Sequence, residues 1–116
     1  MSTLRALVVE DDPSLAKLIA RLLSRVSIAC VAVDGVTAAE GALAEGEFDV
    51  LIVDASLDDG DGVELIQALR ARGVLTPAVL VSGSAMPSPD PLTRFLAKPF
   101  TKDSLPALVL SLVDPS

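Results

Sequence analysis

A doubly wound α/β fold around a five-stranded parallel sheet is the fold class this sequence predicts, and three observations predict it. Short apolar, β-branched runs alternate with segments of helical periodicity along the whole chain. The links between them are short, which favours right-handed crossovers and a parallel sheet covered on both faces. The middle run, Phe48-Asp49-Val50-Leu51-Ile52-Val53, is apolar on both faces over most of its length, as a central strand must be.

The first strand is Leu4 to Val9, ending abruptly at Glu10-Asp11-Asp12. Pro13 suits a first helical turn with Asp12 as N-cap. Leu15, Leu18, Ile19, Leu22 and Leu23 then recur at helical spacing, giving an amphipathic helix over about 13–25. Ile28 to Val33 is the second strand, and its lone Cys30 reads as a small buried hydrophobe. Asp34-Gly35 turns the chain into an Ala-rich helix from Val36 to about Glu45. The third strand ends in Asp54. After the loop Ala55 to Asp61, Val63, Leu65, Ile66 and Leu69 mark a third helix stopping near Gly73. Pro77 to Val81 is the fourth strand, ending at Ser82-Gly83, and Arg94 to Ala97 is a short fifth strand before Lys98-Pro99-Phe100.

Between the last two strands, Pro87, Pro89 and Pro91 exclude a regular helix, so the fourth helix is expected to be absent or reduced to a single turn. Asp103 to Val113 is the last amphipathic helix. Pro106 would break an internal hydrogen bond if Thr101 caps that helix and is harmless if Ser104 does; the later start is preferred. The expected strand order is 2-1-3-4-5, the flavodoxin-like arrangement. Its site lies outside the carboxyl ends of the strands, near the switch between strands 1 and 3.

Composition narrows the function. At 116 residues the chain is one domain, 1–116, large enough to bury a core without disulfides. A mean hydropathy of +0.57 excludes disorder. The net charge of −7, with no stripe of bases, argues against a nucleic-acid partner. The absence of His, Trp and Tyr removes histidine-based zinc sites, serine–histidine triads and most stacking platforms. A single cysteine fits a reducing compartment. No basic leader and apolar core follow Met1, and the apolar stretches are far shorter than the roughly 20 residues that span a bilayer. A soluble cytoplasmic protein with no membrane partner is expected.

The chemistry gathers at the strand ends. Adjacent strands 1 and 3 should bring Glu10, Asp11 and Asp54 to one spot, with Asp12 close by. Carboxylates so crowded call for a raised pKa or a bound cation, and oxygen-only ligands point to Mg²⁺, or Mn²⁺. Strand 5 ends in Lys98 as a counter-charge, and strand 4 ends in Ser82, whose hydroxyl is a donor for an oxyanion. Singly these are turn formers, caps or solvated charges. Together at one sheet edge they make a pocket for a transferring phosphoryl group.

Those residues carry a resemblance. Leu7-Val8-Val9-Glu10-Asp11-Asp12, Leu51-Ile52-Val53-Asp54, Gly60-Asp61-Gly62, Val81-Ser82-Gly83 and Lys98-Pro99-Phe100 occur in an order that resembles a response-regulator receiver domain, the phosphoacceptor module of two-component signalling. The resemblance implies that Asp54 takes a phosphoryl group from a histidine kinase or phosphotransfer protein. It implies Asp11 as a direct metal ligand, Glu10 as one acting partly through water, and the Ser56 carbonyl as another. Lys98 would pair with the phosphoryl oxygens, Ser82 would swing inward, and the Phe95 rotamer would follow. Such a module is no enzyme beyond its own phosphorylation and dephosphorylation. Its output is contact with a downstream protein or phosphoryl relay, as a free-standing chain or one detached from a hybrid kinase; the oligomeric state is left open. Leu57-Asp58-Asp59 departs from the apolar–Pro pair often found there and reads as solvated loop, while Ser56 and Ser84 flank the expected phosphoryl position.

Two other readings compete. A haloacid-dehalogenase-type phosphatase would need an Asp at the Ser56 position and a cap domain. A pseudo-receiver binding partners without phosphorylation would not need the intact set of Glu10, Asp11, Asp54, Ser82 and Lys98.

Overall fold

The five apolar runs become five parallel strands in a computed structural model that describes residues 3–113. In chain order the elements are β1 (Leu4–Val9), α1 (Pro13–Ser24), β2 (Ile28–Val33), α2 (Val36–Glu45) and β3 (Val50–Asp54). A two-strand hairpin, β4 (Ser56–Leu57) and β5 (Gly60–Asp61), leads into α3 (Gly62–Ala71). Then come β6 (Ala78–Ser82), β7 (Thr93–Ala97) and α4 (Ser104–Val113). The main sheet runs β2-β1-β3-β6-β7, the expected 2-1-3-4-5 with the small hairpin set aside.

Strand alternation sorts the core into two layers. Leu7, Val9, Leu51, Val53 and Leu80 face Leu65, Ile66 and Leu69 of α3 and Ala39 of α2. Val8, Ile52, Val79 and Val81 face Ile19 and Leu23 of α1 and Leu105 and Val109 of α4. The central strands β3 and β6 are buried at every position, so the residues that follow the strands at the carboxyl edge stand on a rigid base.

Several boundaries differ from expectation, each for a local reason. The third strand starts at Val50 rather than Phe48. The Asp49 carboxylate accepts the Arg5 N–H at 2.7 Å, taking a donor the ladder would use, and the Phe48 ring lies 4.7 Å from the Arg5 guanidinium. Cys30 is half-buried rather than buried, because β2 is an edge strand; burial still pushes its thiol up to about 11, so it stays protonated. The final helix begins at Ser104, which is its first residue rather than the expected cap, and Pro106 falls in its first turn, where no intrahelical donor is required. Thr101 nevertheless contributes: its hydroxyl accepts from the Ser104 N–H and the Ser104 hydroxyl accepts from the Thr101 N–H, both at 3.0 Å.

No helix occupies 83–92. Met86 from this segment packs on the α2–α3 side of the core instead. Arg70 of α3 anchors the segment's end. Its Nε donates to Asp90 at 3.1 Å, Nη1 to the Val74 and Thr76 carbonyls, and Nη2 to the buried Thr93 hydroxyl. Among the described residues, no helix is long and apolar enough to cross a membrane.

Candidate functional site

The site is assembled by strand adjacency. β1 lies beside β3, so Glu10 and Asp11, which follow Val9, come to rest against Asp54 at the end of β3. One carboxylate oxygen from each of Glu10, Asp11 and Asp54 lies within 4.8 Å of the others. Glu10 and Asp54 are only 4% and 6% exposed, so water screens their repulsion poorly. β7 pairs with β6 and delivers Lys98 to the same edge, where its ammonium donates to Asp54 Oδ2 at 2.8 Å and to Glu10 Oε1 at 3.5 Å.

Each carboxylate is also held from the main chain. The Ser56 N–H donates to Asp54 Oδ1 at 3.0 Å, the Asp12 N–H to Glu10 Oε2 at 3.1 Å, and the Asp58 N–H to Asp11 Oδ2 at 3.0 Å. These bonds fix orientation before any ligand arrives. Gly62 completes the frame. A Cβ there would collide with the Asp54 carbonyl, so only glycine lets α3 start directly against the strand end. Its N–H donates to the Ala55 carbonyl at 2.9 Å.

The electrostatics follow from the crowding. Burial, with Asp54 adding to it, raises Glu10 to about 7, against the opposing pull of the Asp12 amide and Lys98. Burial pulls the Lys98 ammonium down, but Asp54 and Glu10 outweigh it, so the amine is held above its ordinary value and stays charged.

This arrangement of five parallel strands, with the carboxylates and lysine at the carboxyl edge, meets a matching family. The model for the response regulator receiver domain matches residues 6–110. The chain belongs to the response regulator receiver domain family. It is similar to the swarming motility regulation protein RssB of Serratia marcescens, 36% identical over 109 residues, covering 89% of this chain and 48% of that protein. Among solved structures, it resembles a CheY-like receiver domain from Methylobacillus flagellatus, with a TM-score of 0.84, 29% identity and 96% and 99% of the two chains covered. A sensor protein from Polaromonas sp. JS666 gives a TM-score of 0.86 at 30% identity, covering 97% of each chain. The receiver spans about half the length, or less, of the curated relatives it matches.

Not every expected site residue joins the cluster. Glu10, Asp11, Asp54 and Lys98 do, and Ser56 reaches it through its amide. Ser82 sits at the end of β6, 8% exposed, with its hydroxyl accepting from the Ser84 N–H at 3.1 Å. Phe95 stands apart, half-buried in β7 in register with Leu80. Asp12 caps α1, accepting from the Ser14 and Leu15 amides. The loop acids read as merely solvated do more than that. Asp58 supplies the amide that holds Asp11, and the exposed Asp59 carboxylate accepts from the Val36 and Thr37 amides of α2. The signal for the second was Gly35, a helix start with no capping side chain of its own.

Proposed function

We propose that this receiver accepts a phosphoryl group on Asp54 from the phosphohistidine of a histidine kinase or phosphotransfer protein, in the cytoplasm, with a divalent cation at the acidic cluster. The observation that carries the reading is the Lys98–Asp54 ion pair set inside an otherwise all-carboxylate cluster. The residues fit a hard cation: their side-chain donors are all oxygen, the Lys98 ammonium reaches only two of the three carboxylates, and burial, with Asp54 adding to it, raises Glu10 to about 7. Glu10, Asp11 and Asp54, with the Ser56 main-chain carbonyl, would hold it. Bound there, Mg²⁺ or Mn²⁺ supplies charge neutralisation for the carboxylates and the phosphoryl oxygens.

The residues then divide the work. An Asp54 oxygen forms the new O–P bond as the P–N bond of the donor breaks and the imidazole leaves. The nucleophile needs no general base because it is already a carboxylate. Ser56 N–H and Lys98 keep it aimed, and Lys98 follows the negative charge onto the phosphoryl oxygens. Ser82 accepts from Ser84 at rest and retains its O–H, so a rotation about its side chain lets it donate to the same oxygens. Phe95, on the neighbouring strand, reports that rotation to the β7 face, where a downstream protein would read it. Hydrolysis of the acyl phosphate resets the module, with no turnover of other substrates.

Labelled phosphohistidine donors test this. Rapid transfer from at least one kinase, absent in Asp54→Asn, is expected. Binding of a partner with no transfer from any donor would support a pseudo-receiver, and steady hydrolysis of phosphomonoesters would support a phosphatase.

A further inference from the structure

We propose that Asp59 is a positioning residue for the acidic site, latching the loop between β3 and α3 onto the start of α2 so that the loop's Asp58 amide holds Asp11. The inference rests on the metal-binding reading of that site and adds to it a residue outside the cluster.

The geometry runs through three contacts. α2 begins at Gly35, which has no side chain to satisfy the helix's first amides. Asp59, from the loop after β3, takes that role, accepting from Val36 N–H at 2.8 Å and Thr37 N–H at 3.1 Å. One residue earlier, Asp58 N–H reaches back to Asp11 Oδ2 at 3.0 Å. That bond holds Asp11 through one of its two carboxylate oxygens.

The fit is close enough to dictate its neighbour. A Cβ at position 35 would lie 2.5 Å from Asp59 Oδ1 and 2.8 Å from its carboxyl carbon, so any residue but glycine would push the carboxylate off the helix. The loop that carries Asp58 also carries Ser56, whose amide holds Asp54. Freeing the loop at Asp59 therefore loosens the hold on Asp11, while Ser56, paired with Asp61 in the hairpin, keeps its hold on Asp54. Partners that orient metal ligands without touching the metal are worth about a factor of ten in affinity.

The test compares Asp59→Ala, Asp59→Asn and Gly35→Ala in the full chain, each checked for folding by circular dichroism. Amide hydrogen exchange is read in the metal-free protein and Mg²⁺ affinity by calorimetry. Asp59→Ala and Gly35→Ala are expected to accelerate exchange at Val36, Thr37 and also Asp58, and to weaken Mg²⁺ about tenfold. Asp59→Asn keeps a capping oxygen without the charge and should restore most of both. Faster exchange at Val36 and Thr37 alone, with Asp58 unchanged, would reduce Asp59 to a helix cap and overturn the proposal. So would equal weakening of Mg²⁺ by Ala and Asn, which would make the effect one of charge. If the unmodified chain binds no Mg²⁺, the metal reading fails, and exchange at Asp58 still decides the latch.

Discussion

Glu10 is the residue on which the electrostatic character of the site is most visible. Its carboxyl is raised from 4.5 to about 7 because burial disfavours its charge and Asp54 adds repulsion. A raised acid contributes stability that is fully present below its ordinary value and is lost as pH rises through about 7. Above that, the metal-free cluster carries its full repulsion. Thermal melts should therefore show the unmodified protein losing stability relative to Glu10→Gln between about pH 5 and pH 8. Millimolar Mg²⁺ should recover most of that loss at the upper end and little at the lower, where protons compete for the ligand. A constant difference between the two proteins across this range, with or without Mg²⁺, would mean that Glu10 titrates as an ordinary surface acid.

At the scale of elements, the segment between β6 and β7 departs furthest from regular structure and depends on one side chain. Arg70 uses Nε and both terminal nitrogens on Asp90, Thr93 and two carbonyls, with the Arg70 and Asp90 side chains only 13% and 17% exposed. Burial pushes the Asp90 carboxyl up, but the Leu92 amide, Arg70 and Thr93 together hold it below the usual range. The clamp is therefore complete above that range and weakens as acid protonates Asp90. Replacing Arg70 with Met would take the guanidinium from Asp90, which keeps the Leu92 amide and the Thr93 hydroxyl, and from two carbonyls. A cost of about 2–3 kcal/mol in urea unfolding is expected, toward the low side for a buried pair because some solvent remains. Faster amide exchange from Leu92 to Phe95 should accompany it. An unchanged midpoint would show that Met86 and the strand ladder hold the segment unaided.

The clamp also marks where the sequence stopped being legible. The strands, α1 with its Asp12 cap, and the missing fourth helix could be read because each rests on local signals: hydrophobic period, a capping residue before Pro13, and prolines at 87, 89 and 91. The carboxylates and Lys98 could be placed because a parallel sheet brings strand ends together whatever the loops do. Arg70 of α3 and Asp90 of the irregular segment meet across twenty positions with β6 between them, and no sequence spacing announces that. Asp59 was hidden for the same reason: its partners are the first amides of α2, more than twenty positions away. The shorter third strand followed from a side chain, Asp49, competing with the backbone, which hydrophobic pattern does not register.

For the whole molecule, the net charge of −7 has a structural account. The parallel topology aims the starts of α1, α2 and α3 at the carboxyl edge of the sheet, and Asp12, Asp59 and Asp61 each accept from amides there. Acids at helix N-termini are favoured by the unpaired amides and the helix dipole. The same edge holds Glu10, Asp11 and Asp54, which repel one another. Part of the acid excess thus stabilises helix ends, and part is stored in the cluster for which we propose a cation and a phosphoryl donor.

That division makes the central claim open to one direct measurement: intact mass after incubation with acetyl phosphate, with and without Mg²⁺, for the unmodified chain and Asp54→Asn. The account predicts a gain of one phosphoryl group that requires Mg²⁺, vanishes in Asp54→Asn and is lost again as the acyl phosphate hydrolyses. No gain in the unmodified chain, or an equal gain in Asp54→Asn, would contradict it.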